Sequence, residues 1–210
     1  MGRTSDADER LKNAAMDLMW EGSYGTVTID DICKRADVKK GSFYYFFPSK
    51  AELAVAALEK WWLDTLKPAL DQMFSPSVEP LDRVLAYLES IHGRQMELRR
   101  KTGKVLGCPI CAVGSEVSTK EVDVSAKIRE IVGRKRRYYE SAIREAVADG
   151  SIEACECGQT ATALAGLIDG LVSQARIMDD PSILQTLPAM GLSLLRAKKK
   201  VRPTPSAATS

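Results

Sequence analysis

Residues 26–53 read TVTIDDICKRADVKKGSFYYFFPSKAEL, and two short helices can be drawn through them. Thr28 stands where a side-chain oxygen can cap a helix and Asp31 follows three residues on, a reciprocal capping arrangement. Ile29 and Ile32, with Cys33 and Ala36 beside them, give that helix one apolar face, and it is expected to end near Arg35. A three-residue turn, Ala36-Asp37-Val38, leads to a compact helix over residues 39–46. Ser49 and Glu52 form a second capping pair and open the next helix. Two short helices across a tight turn are the helix-turn-helix shape, whose second helix lies in the major groove of DNA.

The charge around this turn is local. The chain of 210 residues has a formal net charge of +2, and Lys198, Lys199, Lys200 and Arg202 alone supply +4, leaving residues 1–197 at −2. Bulk charge therefore gives no argument for a nucleic acid. Between residues 34 and 50, however, Lys34, Arg35, Lys39, Lys40 and Lys50 face a single acid, Asp37, a local +4. Ser42, Tyr44 and Tyr45 lie among them with hydroxyls that can reach phosphate oxygens, and Gly41 permits close backbone approach. Lys50 sits in the first turn of a helix, where the dipole slightly disfavours a cation and a phosphate would compensate. Each feature alone fits an ordinary solvated surface; together with two capped short helices they point to DNA.

The stretch GSFYYFFPSK within residues 25–53 resembles the DNA-binding domain of the TetR family of bacterial transcriptional regulators. That resemblance implies a homodimer on a palindromic operator, usually near its own promoter, released when a small molecule occupies a helical C-terminal domain. It implies that Thr28 is a capping threonine that meets a phosphate, and that Lys40, Ser42 and Tyr44 are exposed recognition-helix positions. Tyr45 and Lys50 match backbone clamps, and Phe43 and Phe47 match core positions. The chain departs from the family pattern in three places. Lys39 stands where a serine often caps the recognition helix, Asp37 replaces a frequent turn glycine that Asp can mimic in a left-handed conformation, and Phe46 replaces a frequent histidine.

The rest of the chain reads as helix, with no period-2 strand pattern between hairpin signals. A first helix covers residues 8–20, with Leu11, Ala14, Ala15, Leu18 and Met19 on one side. A long fourth helix runs over residues 49–74 with a kink at Pro68, and a fifth opens at Pro80 with Leu81, Val84, Leu85, Leu88 and Ile91 on its apolar face. Residues 109–117 form a short helix and residues 121–149 a long one, with Gly150 after it. A helix rich in small residues follows Cys155-Glu156-Cys157-Gly158, and Asp180-Pro181 opens the last. The fold class is all-α with about nine helices. A helix-turn-helix domain is expected over residues 1–50, a ligand-binding and dimerisation domain over 51–197, and a disordered basic tail over 198–210.

The stretch after the fifth helix is the second informative one. Pro109 at a first helical position places Cys108 at the N-cap, where the dipole and free N–H groups favour a thiolate, with Lys101 or Lys104 as further cations. Cys111 lies one turn on and can resolve an oxidised Cys108. A Gly-Cys pair ahead of such a helix also resembles a subset of TetR-like regulators, some of which respond to electrophiles through that cysteine. Inert small core residues are the alternative. Trp61, Trp62, His92, Met96 and Tyr138 are candidate pocket residues. A zinc centre shared by Cys108, Cys111, Cys155 and Cys157 is disfavoured, because the helix between the pairs spans about 43 Å at 1.5 Å per residue. The basic run Arg134-Lys135-Arg136-Arg137 wraps around its helix and reads as a solvated face. The small-residue helix over residues 160–175 and the last helix are expected to pair across a dimer interface that spaces two recognition helices roughly 34 Å apart.

Composition sets the outer limits. Hydrophobic residues make up 45% and charged residues 28%, ordinary for a globular chain. No stretch has the roughly 18 apolar residues of a membrane span, and the polar N-terminus lacks a signal core, so a cytoplasmic protein without a membrane partner is expected. Five cysteines cannot all pair within one chain. A thiol-based redox or metal-binding protein built on Cys108 and Cys111 is the different-class alternative, but a redox CPIC needs a strand and a βαβ setting, and neither pattern is present. No HExxH, Ser-His-Asp or phosphate-cradling glycine loop appears. The expectation is a ligand-responsive repressor without catalysis, cofactor or metal, bound to double-stranded operator DNA and a small-molecule inducer.

Overall fold

The computed structural model describes residues 4–117 and 121–198. Apart from Lys198, the basic tail expected over residues 198–210 lies outside the described residues. Ten α-helical segments follow one another: α1 (Thr4–Glu21), α2 (Ile29–Ala36), α3 (Lys40–Phe46), α4 (Lys50–Trp61), α5 (Lys67–Met73), α6 (Pro80–Thr102), α7 (Pro109–Val117), α8 (Val122–Ala148), α9 (Cys157–Met178) and α10 (Leu187–Leu194). The π-helical turn Trp62–Leu66 joins α4 to α5 without a break, so counting that rod once leaves nine helices among the described residues. The β structure among them is a single isolated bridge between Ile152 and Ala197.

The N-terminal unit forms as its caps dictate. Thr28 accepts the Asp31 N–H at 3.1 Å, and Asp31 accepts the Thr28 N–H at 3.0 Å, so the reciprocal cap of α2 is complete. At α4 only half of the expected pair forms: Ser49 accepts the Glu52 N–H at 3.1 Å. Asp37 turns the chain between α2 and α3 in the left-handed region, at φ 51°. An Asp tolerates that region better than most residues. Leu11, Ala15 and Met19 of α1, Ile32 of α2, Phe43 of α3 and Leu53 and Leu58 of α4 are all buried, a core shared by four helices.

The kink expected at Pro68 is a change of register. Pro68 has no N–H to give to the carbonyl four residues back. The ladder widens just ahead of it, and the Lys67 N–H reaches Trp62 O, an i→i−5 bond. The last helix is divided as well. Pro188 cannot bond back to Leu184, and the segment Pro181–Thr186 is a 3₁₀ helix before α10 begins.

Helix α8 is the spine of the second unit, packed against α4, α6, α7 and α9. Its buried stripe is Val124, Ile128, Ile131, Lys135, Tyr139, Ala142 and Ala146. The two units are also tied by polar groups. Leu106 O accepts the Trp20 indole N–H at 3.0 Å and an Arg176 guanidinium N–H at 2.7 Å, and the same guanidinium donates to Trp20 O at 3.1 Å. The end of α1, the loop before α7 and the last turn of α9 meet at this knot.

Candidate functional site

The outer face of α3 carries the side chains that the sequence singled out. Phe43 is fully buried and Phe47 nearly so, which turns Tyr44 and Tyr45 outward at 52% and 76% exposure. Lys39, Lys40, Gly41 and Ser42 are exposed beside them. Lys39 occupies the N-cap position of α3 and makes no side-chain cap bond, as its replacement of a capping serine implies. A Cβ on Gly41 would meet no heavy atom within 4 Å. Nothing among the described residues requires a glycine there.

The local charge is partly committed within the chain. Arg35 pairs with Glu21 at 3.1 Å and Lys40 with Asp30 at 2.8 Å. Asp30 holds the Lys40 ammonium above its ordinary pKa. Lys50 differs from the expectation of an open clamp. Its ammonium donates to Tyr24 O at 2.8 Å and Val27 O at 3.0 Å and lies 4.3 Å from the Tyr24 ring centre. Two carbonyls and a ring therefore supply much of the compensation that the sequence assigned to phosphate. Lys34 and Lys39 have no acid within ion-pair distance among the described residues.

Behind this unit lies a cavity of about 370 Å³ between α1, α4, α6, α8 and α9. Its walls are mostly apolar, with Trp20, Trp61, Leu66, Ile91, Leu98 and Val172 among them. Its polar side chains include Thr65, Tyr87, Arg94, Gln95, Cys108, Lys135 and Asp169. Gln95 donates to Gly107 O at 3.1 Å and accepts the Gly107 N–H at 2.9 Å, so both ends of the buried amide fix the backbone just before Cys108. Cys108 O accepts the Ala112 N–H at 3.0 Å, which makes Cys108 the residue immediately ahead of α7.

The cysteine pair is polarised. The Cys111 thiol lies against the Cys108 sulfur and pulls the Cys108 pKa below its ordinary value, outweighing burial, and the Lys135 ammonium adds to the effect. Cys111 is pushed the other way, first by its bond to Cys108 and then by burial. The cation beside the pair is Lys135, not Lys101 or Lys104. Lys101 pairs with Glu97 at 3.2 Å on the exposed side of α6.

Lys135 corrects the reading of its basic run as a solvated face. It is 6% exposed and donates to Asp169 of α9 at 2.9 Å. Burial opposes its charge, yet Tyr87, Cys108 and Asp169 together hold its pKa above the usual lysine value. Its signal in the sequence is the stripe of residues 128, 131, 135, 139 and 142, whose other members are all apolar or aromatic.

Four of the candidate pocket residues stand elsewhere. Trp62 is buried on the far side of the rod, with the Arg134 guanidinium 5.5 Å from its ring, while its neighbour Trp61 lines the cavity. Tyr138 donates to Asp71 and lines a separate hollow with Phe74 and Arg83. Met96 is 47% exposed on the outer side of α6, one residue beyond Gln95. His92 is half-buried on the same helix and, like Met96, is not part of the cavity wall. Tyr87, Arg94, Gln95, Lys135 and Asp169 are the cavity groups that the sequence reading missed.

Helix α7 reaches from this cavity to the DNA-facing unit. Glu116, near its end, accepts the Ser23 hydroxyl at 2.6 Å, the Tyr24 N–H at 2.9 Å and the Gly25 N–H at 2.6 Å. Those donors occupy the loop just before the Thr28 cap. On the opposite side, α9 presents Ala163, Gly166 and Gly170 outward, and a Cβ at either glycine would meet no heavy atom within 4 Å. Ile177 of α9 and Met190 of α10 are exposed at 79% and 43%.

A capped helix-turn-helix on a helical body that encloses an apolar cavity defines a ligand-responsive transcriptional regulator. Residues 11–57 match the model for bacterial regulatory proteins of the tetR family, and residues 80–189 match the tetracyclin repressor-like C-terminal domain. The chain belongs to the TetR family. It is 31% identical over 150 residues to the transcriptional regulator AcuR of Cereibacter sphaeroides, covering 70% of this chain and 66% of that protein. It is 27% identical over 177 residues to the transcriptional repressor NemR of Escherichia coli K12, covering 82% and 85%. The crystal structure of reduced E. coli NemR superposes with a TM-score of 0.77 at 22% identity, over 91% of this chain and 98% of that one. The regulatory protein TetR from Rhodobacter sphaeroides gives 0.78 at 27% identity, over 88% and 96%. CPIC has no βαβ setting here. It lies at the start of α7 with no strand ahead of it among the described residues, and the family match favours the regulator over the oxidoreductase alternative.

Proposed function

We propose that the chain acts in the cytoplasm as a homodimeric repressor of a palindromic operator and leaves it when the cavity is occupied or Cys108 is modified. Thr28, Lys39, Lys40, Gly41, Ser42, Tyr44, Tyr45 and Lys50 form the DNA face. Lys39 and the two tyrosines are free to reach phosphates, and Gly41 admits the backbone closely. The outward face of α9, with α10, is the dimer surface, because its small residues let a second copy approach.

The observation that carries the sensing step is that α7 has Cys108 at one end and Glu116 at the other. A thiolate favoured by Cys111 and Lys135 adds to one carbon of an activated alkene; the carbon–carbon π bond breaks, and the neighbouring carbon, which receives the displaced electron pair, takes up a proton from water. Bulk bonded to Cys108 displaces the start of α7, and Glu116 passes the displacement to residues 23–25 and so to α2 and α3. The dimer population shifts toward a spacing that no longer matches successive major grooves. The alkene carbon of N-ethylmaleimide is a suitable probe.

The test is a gel-shift titration against the DNA upstream of the protein's own gene, with and without N-ethylmaleimide, on wild type and Cys108→Ser. The expected result is a competitor-resistant shift that the reagent abolishes in wild type and spares in the variant. A shift that survives the reagent in wild type removes Cys108 from the mechanism, and selection from random duplexes that yields no preferred sequence removes the operator reading.

A further inference from the structure

The permanently charged side chains that line the cavity do not balance among themselves, and the groups that favour a thiolate at Cys108 are Cys111 and Lys135, not Arg94. Lys135 is neutralised by Asp169 at 2.9 Å, and Gln95 spends both amide atoms on Gly107. Arg94 is left. Its guanidinium carbon stands 5.3 Å from the centre of the Tyr87 ring, two turns back on α6, so the side chain runs along the helix over a ring that lines the cavity, and Arg94 lines it as well. Among the described residues no carboxylate comes within ion-pair distance of it. Glu97, three residues further along α6, is engaged with Arg100 at 2.9 Å and Lys101 at 3.2 Å.

An arginine solvated at the surface needs no partner. One that stacks on an aromatic wall of an apolar cavity, half-buried, is poised to be neutralised by whatever enters. We infer that Arg94 is the anion-binding group of this cavity and that its ligand is a small molecule with one carboxylate on an apolar body. The cavity, at about 370 Å³, falls at the small end of ligand sites, which run roughly 300–1,000 Å³. Leu66, Ala69, Ile91, Leu98 and Ile168 offer it no polar partner, and Thr65 and the Trp61 indole add only one hydroxyl and one N–H, so the body is largely apolar. A carboxylate fits the planar fork of a guanidinium through two parallel hydrogen bonds. A phosphate dianion would bring a second charge toward Asp169, which already shares the wall. The inference rests on the reading of this cavity as the regulator's ligand site, and it gives that site a ligand class.

The probes are hexanoate, octanoate and 4-phenylbutyrate, each set against the alcohol of the same carbon skeleton. Calorimetric titration of the full chain without DNA reads affinity directly, so it does not depend on any operator. The carboxylates are expected to bind wild type about tenfold or more tightly than the matched alcohols, in line with a charge-assisted hydrogen-bonded pair. Arg94→Gln is expected to bring the carboxylates down to the level of the alcohols, and Arg94→Lys to keep part of the difference. Arg100→Gln, on the same helix but held by Glu97 outside the cavity, should retain the whole preference. Alcohols that bind wild type as well as carboxylates overturn the inference, as does a preference that survives Arg94→Gln. Carboxylates that fail to bind at all overturn it too. In each case an operator shift measured without any probe still stands or falls alone and reports separately on the regulator reading.

Discussion

Glu116 and Gly25 are fitted to each other. The Gly25 N–H donates to a Glu116 carboxylate oxygen at 2.6 Å, and a Cβ on Gly25 would stand 2.6 Å from that same oxygen. A side chain at residue 25 would thus have to displace the end of the Glu116 side chain, and the carboxylate bridges α7 to the loop that precedes α2. Replacing Gly25 by Ala should push the two apart, and Glu116→Ala should leave the Tyr24 and Gly25 N–H groups without their acceptor. Because Glu116 is half-exposed, the stability loss from its removal should stay near 1 kcal/mol, about that of a partly hydrated hydrogen-bonded carboxylate. The larger effect should be on communication. Both variants are expected to hold operator DNA while N-ethylmaleimide releases it several-fold less effectively. Hydrogen exchange at Tyr24 and Gly25 gives an independent measure, and unaltered protection in Glu116→Ala would show that the bridge is not maintained in solution.

The same carboxylate gives a pH dependence. Burial alone would raise the Glu116 pKa, but the Ser23 hydroxyl and the two backbone N–H groups outweigh it and leave the pKa below its ordinary 4.5. A carboxylate with a lowered folded pKa contributes stability above its unfolded pKa and loses it as pH falls through the folded one. Wild type should therefore lose more stability than Glu116→Gln between about pH 5 and pH 3. Denaturant midpoints for the two across that range decide it: parallel curves mean that the carboxylate contributes no pH-dependent stability.

Lys135 and Asp169 form a buried pair, and removal of one partner should cost more than removal of both. Asp169→Asn leaves an ammonium in a largely apolar wall, and the expected loss is about 3 kcal/mol, the low end for a broken buried pair because Asp169 is partly exposed. Lys135→Met combined with Asp169→Leu should recover most of that loss. Urea unfolding of the two single variants and the double closes the cycle, and additive losses would mean that the pair is not coupled.

The helix-turn-helix was legible because its determinants are local. Thr28 and Asp31 are three residues apart, Asp37 carries its own turn preference, and the Phe43 and Phe47 spacing already orients Tyr44 and Tyr45. The cavity was not legible, because tertiary packing decides which side of a long rod faces it. Trp61 and Trp62 are adjacent in sequence, yet one lines the cavity and the other packs toward Arg134 across the turn that Pro68 imposes. Lys135 was hidden by its neighbours. Arg134, Arg136 and Arg137 surround it with solvent-type charge, whereas the apolar spacing through Ile128, Ile131 and Tyr139 puts it on the inner face of α8. Lys50 was recognised as important, but the carbonyls that hold it lie more than twenty residues earlier in the chain.

The thiol pair makes a kinetic prediction. Cys111 is the main reason that Cys108 is held below the ordinary thiol pKa, with Lys135 adding to it. Cys111→Ala and Lys135→Met should each raise the pKa of Cys108 and slow its alkylation by iodoacetamide at pH 7, Cys111→Ala more. The difference should vanish at a pH high enough to ionise the thiol in every variant. Rates of Cys108 modification read by peptide mass spectrometry over pH 5–10 are the measurement. Identical pH profiles for wild type and Cys111→Ala would exclude the polarised pair.

The DNA face separates two kinds of lysine. Lys39 is exposed with no acid within ion-pair distance among the described residues, so Lys39→Ala should leave stability unchanged, weaken all duplexes alike and lower the salt slope of binding by about one. Lys50 holds Tyr24 O and Val27 O, and on the proposed DNA face it also meets phosphate, so Lys50→Ala should reduce thermal stability and operator affinity together. Tyr45→Ala removes a neutral, 76% exposed side chain and should lower affinity with neither the stability loss nor the change of slope. Melting temperatures and gel-shift affinities at several salt concentrations for the three variants distinguish these outcomes. If Lys50→Ala loses affinity and salt slope but melts like wild type, its ammonium belongs to the phosphate backbone and its hold on the residue 24–27 loop is of no consequence. If it melts lower with its salt slope intact, Lys50 shapes the loop and Lys39 carries the electrostatic contact.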